Sequence, residues 1–170
     1  MPVGKWDLGG VHGVRQYMWK LLQDELGWKA SDYGGLTPIT TPEQQPEFNN
    51  FNKPYIVYSY SKKQGTNNYF LEGEIATFVI YSSDSADIRR AINLFDAKLD
   101  KRDESAAEVN DFISASSLDP EYKYFDYKSL WVSMIQGPQP VTEEGGRRDG
   151  LINVNINYTH YGPDGKAIRF

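Results

Sequence analysis

Apolar residues recur at three- and four-residue steps through Val11–Leu26 (VHGVRQYMWKLLQDEL), where Val14, Tyr17, Met18, Leu21 and Leu22 fall on one face. That spacing predicts a helix, and Gly27 stands where a helix commonly stops. The same period returns in Ala86–Leu99: Ile88, Ala91, Ile92, Phe95 and Leu99 form a stripe, and Arg89, Arg90, Asp96 and Lys98 take the other side. The preceding SSDS supplies oxygens that can cap its first turn. A shorter helix is expected over Ala106–Ala115, opened by Ser105 and Glu108 at capping-box spacing, with Val109, Phe112 and Ile113 as its apolar face.

Elsewhere the period shortens to two. Pro54–Ser61 (PYIVYSYS) and Asn68–Ser83 (NYFLEGEIATFVIYSS) are rich in β-branched and aromatic residues and are separated by the polar, glycine-containing KKQGTN, which predicts an antiparallel hairpin. In the longer strand Ala76, Phe78 and Ile80 face one way; Ile75, Thr77, Val79 and Tyr81 face the other. Two apolar faces suit a strand covered on both sides or shared with a neighbouring subunit. A second strand pair is expected from Tyr122–Ile135 and Leu151–Tyr161. In the latter, Ile152, Val154, Ile156 and Tyr158 alternate with Asn153, Asn155, Asn157 and Thr159, so one side belongs to a core and the other is solvated or paired with a partner. The order helix, hairpin, helix pair, hairpin implies an α+β fold over residues 1–170: one mostly antiparallel sheet of about four strands with helices on one face.

Residues 28–53 break the rhythm. Their prolines, Gly34-Gly35 and several Asn and Gln residues forbid a regular element, yet Trp28, Tyr33, Phe48 and Phe51 are scattered among them. A disordered linker does not carry so many large apolar groups, and long ordered loops tend to be functional. This loop either wraps its own domain or offers Trp28, Tyr33, Phe48 and Phe51 to a partner.

Composition narrows the chemistry. A formal charge of -5 without any run of Lys and Arg argues against a nucleic-acid binder that relies on its overall field. There is no cysteine, hence no disulfide or thiolate metal site. The opening MPVGKWDLGG lacks the apolar core of a signal peptide and no stretch has the length of a membrane span, which predicts a soluble, intracellular protein without a membrane partner. Twelve Tyr, eight Phe and four Trp suit both a β-rich domain and rings placed at subunit interfaces. His12 and His160 lack the spacing of a metal pair, and no Gly-x-Ser-x-Gly elbow occurs. Gly9–Gly13 (GGVHG) opens a helix but has neither a preceding strand nor a Lys-Ser/Thr pair, so it reads as helix-start flexibility or a hinge. Asn157-Tyr158-Thr159 reads as a chance match to the glycosylation triplet. The expectation is a protein that is not an enzyme, with no cofactor, no metal and no catalytic residue.

One stretch stands out, Thr142–Gly150 (TEEGGRRDG), between two apolar runs. It leads into an alternating strand rather than a helix, so helix-start anion binding does not apply. It reads as a hairpin tip displaying Glu143, Glu144, Arg147, Arg148 and Asp149, where charges of both signs set register with a neighbour. A merely solvated turn is the plainer alternative.

The ordered set of KPYIVYSY, LEGEIATFVIYSS, ADIRRAINLFDAKLD, GPQP, EEGGRRDG and LINVNINYTHY resembles the tail terminator (tail-completion) proteins of long-tailed bacteriophages, over roughly Val11–Tyr161. That resemblance implies a small α+β domain, located in the virion neck after assembly in the host cytoplasm. It implies a homo-hexameric ring that ends the tail tube and joins it to the head. Its partners would be further copies of itself, the tail tube protein, a tail sheath protein and a head-completion or neck protein, with DNA only passing through the lumen. An acidic lining would repel the phosphates of that DNA rather than grip them. The loop 28–53 departs from the family pattern. Two other classes stay open: another neck or baseplate connector or protein-binding module, and a small enzyme or ligand-binding domain whose site would lie under the Trp28–Lys53 loop.

Overall fold

The computed structural model describes residues 9–48, 51–62, 71–115, 125–139 and 147–161. A 17-residue helix α1 (Gly10–Leu26) leads into the loop, which contains a two-residue strand β1 (Ile39–Thr40) and a single helical turn α2 (Gln45–Phe48). Then follow β2 (Tyr55–Lys62), β3 (Glu72–Ser82), α3 (Ser85–Leu99), α4 (Asp103–Ala115), β4 (Phe125–Gln136) and β5 (Arg148–His160). The strands form one sheet in the order β1-β2-β3-β5-β4, antiparallel except for the β1–β2 pair. The α+β expectation holds, with five strands where about four were expected. The extra strand is β1, which the irregular loop sequence conceals.

The helical stripes and the sheet meet in one interior. Val14, Met18 and Leu22 of α1, Ile88 and Phe95 of α3, and Val109 of α4 are fully buried with Phe78, Ile80, Ile152, Val154 and Ile156. The two sides of the alternating strands are therefore told apart as their pattern required. Asp84 caps α3 by accepting a hydrogen bond from the Ala86 amide at 2.9 Å, and Gly27 ends α1 in the left-handed region at φ 71°.

Two boundaries move. The capping box expected at Ser105 and Glu108 does not form, because α4 begins at Asp103, three residues before the expected Ala106. Ser105 instead accepts from the Lys101 amide and donates to the Lys98 carbonyl, stitching the end of α3 to the start of α4. Glu108 accepts from the Tyr17 hydroxyl at 2.9 Å and ties α4 to α1. Likewise β5 starts at Arg148, so Arg148, Asp149 and Gly150 belong to the strand, opposite Ser82, Tyr81 and Ile80. Gly150 is a packing glycine: a Cβ there would lie 2.6 Å from Ile88 Cγ2. The KKQGTN turn, apart from Lys62, lies outside the described residues, as does the tip from 140 to 146.

Candidate interaction surface

The loop is held by its own aromatic cluster on the face of the sheet opposite the helices. Tyr55 and Val57 of β2 point there, while Ile56 and Tyr58 point into the main core. Tyr33 and Phe48, each 2% exposed, pack over Tyr55 and Val57, with Phe51 and Tyr81 around them. Ring centroids lie 6.2 Å apart for Tyr33–Phe48, 5.9 Å for Tyr33–Phe51 and 5.2 Å for the stacked pair Tyr55–Tyr81. Tyr33 also donates its hydroxyl to the Pro54 carbonyl, and burial raises its phenol pKa above the ordinary value. Gly34 and Gly35, both at positive φ, make the turn that brings this segment back to β1. Of the four loop aromatics singled out by sequence, Tyr33 and Phe48 are thus consumed inside the chain. Trp28 and Phe51 stay half-buried at the rim.

Arg147 ties the hairpin to this loop. Its Nη2 donates to the Phe51 carbonyl at 3.2 Å and its guanidinium lies 5.5 Å from the centre of the Tyr55 ring. The two residue sets picked out separately in the sequence therefore meet at one end of the sheet. Arg148 and Asp149 are half-buried in β5 beside Ser82 and Tyr81. Glu143 and Glu144 lie outside the described residues.

Next to this junction is a cleft of about 300 Å3 lined by Leu26, Gly27, Trp28, Asp32, Tyr33, Asn52, Lys53, Pro54 and Asp87. It sits under the loop, where a ligand site was placed in the alternative reading. Asp87 already accepts from the Ser82 hydroxyl at 2.9 Å.

The rest of the sheet face away from the helices carries half-buried Ile75, Thr77, Val79 and Leu151 and the asparagine row. That row is not uniformly wet. Thr77 donates to Asn153 at 2.8 Å, and Asn155 is buried with its Nδ2 unpartnered.

At the opposite end of the sheet lies a feature that sequence reasoning missed. Glu74 is fully buried, and its carboxylate accepts from the Gly10 amide (2.7 Å), the Val11 amide (3.3 Å) and the Tyr158 hydroxyl (2.6 Å). α1 has no side-chain cap of its own, so Glu74, sixty-four residues away from Gly10, satisfies its first free amides. The anion-binding capacity of the GGVHG helix start is thus used, by an internal carboxylate. Gly10 and Gly13 have a packing role: a Cβ on Gly10 would lie 2.4 Å from the Tyr158 ring, and one on Gly13 would lie 2.2 Å from the Tyr127 hydroxyl. The available signal was a charged residue inside the apolar run LEGEIATF together with three glycines on one helix start.

Both histidines are engaged with rings. His12 contacts Tyr58 and Tyr60 edge-on, and burial followed by the charge of Arg15 lowers its pKa. His160 stacks on Phe125 at 4.3 Å. Among the described residues no group of three or more His, Asp or Glu is arranged to hold a metal, and no helix is long and apolar enough to cross a membrane.

Fold and surface together define an α+β protein built on one open sheet, with helices on one face and an aromatic loop on part of the other. No protein-family model matches the chain, and no curated protein matches it.

Proposed function

We propose that this chain is a structural protein of a long-tailed phage virion, one that forms a ring at the end of the tail tube and joins it to the neck. The observation that carries the reading is the junction at Arg147, Phe51 and Tyr55, which unites the loop and the hairpin base into one displayed surface. A closed ring requires two different complementary patches on each copy, because its contacts are head-to-tail. This surface supplies one, with Trp28, Phe51, Arg148 and Asp149 at its rim. The reading assigns no catalytic residue and no cofactor, and gives the net acidic charge the role of letting DNA pass.

Native mass measurement and sedimentation test it. A stable hexamer that binds the end of purified tail tubes is the expected result. A strict monomer that leaves tubes unbound sinks the reading. A hexamer that ignores tube ends points instead to another neck or baseplate connector.

The cleft beside Trp28 favours a second reading, a small-ligand binder. Its volume of about 300 Å3 is at the lower end of ordinary ligand sites. Saturable shifts of the Trp28, Asp32 and Lys53 resonances with a fragment set would support it, and their absence would remove it.

A further inference from the structure

The cleft under the loop has walls of unequal charge. The end of α1 forms one of them, through Leu26 and its cap Gly27, and the carbonyl end of a helix is the negative end of its dipole. No basic residue in the last turn of α1 offsets it. Asp32, one residue before Tyr33, and Asp87, in the first turn of α3, each add a carboxylate. Against these negative groups the lining sets a single cation, Lys53. Neither Asp32 nor Lys53 is in an ion pair among the described residues. Asp87 is only partly engaged, since its Oδ2 accepts from Ser82 at 2.9 Å while Arg90 reaches its Oδ1 at 3.5 Å. The phenol pKa of Tyr33 in the same wall is raised first by burial and then by the charges of Asp32 and Asp87, so both carboxylates act on one part of the cleft.

The aromatic wall is unclaimed as well. Elsewhere the chain lays its own guanidinium groups on its rings: Arg15 lies 5.8 Å from the centre of Tyr58, Arg102 5.1 Å from Trp131 and Arg147 5.5 Å from Tyr55. Trp28 is half-buried, with its ring 6.5 Å from that of Tyr33, and carries no such cation among the described residues. A ring face beside carboxylates attracts an organic cation through quadrupole and charge together. A hard metal ion would instead need a shell of oxygen donors, and the described residues offer no group of three acidic or histidine ligands.

We propose that the cleft holds a small organic cation, an ammonium or guanidinium group whose charge is met by Asp32 and Asp87 and whose carbon frame lies against Trp28. The inference rests on the small-ligand reading above and names the ligand class. It also gives Lys53 a definite sign: its ammonium opposes the ligand, so removing that charge tightens binding.

NMR titration of the full-length chain tests this with matched probes at fixed ionic strength. Butylammonium and propylguanidinium are the cations, butyramide the neutral analogue and butyrate the anion. The expected result is saturable shifts of the Trp28 indole resonance with the cations, and at least about fivefold weaker binding of butyramide and butyrate. Asp32→Asn should weaken the cations by about fivefold and Lys53→Gln should tighten them by about twofold, with unchanged circular dichroism because both side chains are exposed. Butyrate binding as tightly as the cations, or Lys53→Gln weakening them, overturns the inference and leaves the small-ligand reading standing. Butyramide matching the cations does the same, since the cleft then reads only the carbon frame. Cation binding that ignores Asp32→Asn also overturns it. No shift from any probe up to about 100 mM, the range that ligand efficiency sets for molecules this small, removes both inferences.

Discussion

Tyr158 donates its hydroxyl to Glu74 at 2.6 Å, and that contact sets the neighbouring interior strands β3 and β5 against the first turn of α1. The carboxylate is surrounded by donors, which favour its charged form, but removal from water outweighs them and raises its pKa above the ordinary value. The folded chain therefore holds a proton on Glu74 more tightly than the unfolded chain does. The stability this supplies is complete below the unfolded value near 4.5 and is lost as pH rises through the folded one. Thermal unfolding measured across that window should show wild-type stability falling with rising pH, and Glu74→Gln should flatten the slope. An unchanged slope in the variant would show that another group titrates.

Glu74→Leu should behave differently from Glu74→Gln. It strands the Gly10 and Val11 amides without an acceptor, at a cost of about 2–3 kcal/mol. Denaturant unfolding measures it, and exchange at the first turn of α1 should accelerate more than exchange in α3.

Gly10→Ala and Gly13→Ala should each destabilise by about 1–3 kcal/mol through overpacking, although alanine is the better helix former. The added methyl meets Tyr158 in the first case and the Tyr127 hydroxyl in the second. Tyr127→Phe should rescue part of the Gly13→Ala loss and none of the Gly10→Ala loss, which a double-mutant cycle reads directly.

Phe48→Ala should cost about 3 kcal/mol by the usual scale for a buried aromatic, if the loop and the sheet unfold together. Separate melting of the loop would appear as faster exchange in residues 28–54 with little change in α3 or β5. Either outcome locates the cluster of Tyr33, Phe48 and Tyr55 in the folding unit.

Arg147→Glu with Arg148→Glu should leave the main core folded and weaken assembly. Because Arg147 also holds the Phe51 carbonyl, Arg148→Glu alone is the cleaner probe of the surface. Assembly unchanged in both would take the base of the hairpin off the interface.

The elements with a single period were readable in advance. The Ile88–Leu99 stripe and the Ile152–Tyr158 alternation each have one buried side, so hydrophobic spacing alone announces them. What stayed hidden depends on contacts distant in sequence. β1 has no pattern because two residues cannot show one. Tyr33 and Phe48 read as displayable rings because nothing local says that Tyr55 and Val57 will lie beneath them. Glu74 drew no reading in the sequence because its partners, Gly10 and Tyr158, are 64 and 84 residues away. The hairpin base was misjudged by three residues because Gly150 resembles a turn glycine, while the methyl of Ile88 is what excludes a side chain there.

β2 has a further consequence for how the chain finds its fold. Its alternate residues serve separate interiors, Ile56 and Tyr58 under the helices, Tyr55 and Val57 under the loop. A slip of one position would exchange both sets at once. A strand slipped by one position therefore cannot satisfy one cluster while sacrificing the other, so its alignment is constrained from both sides of the sheet at once.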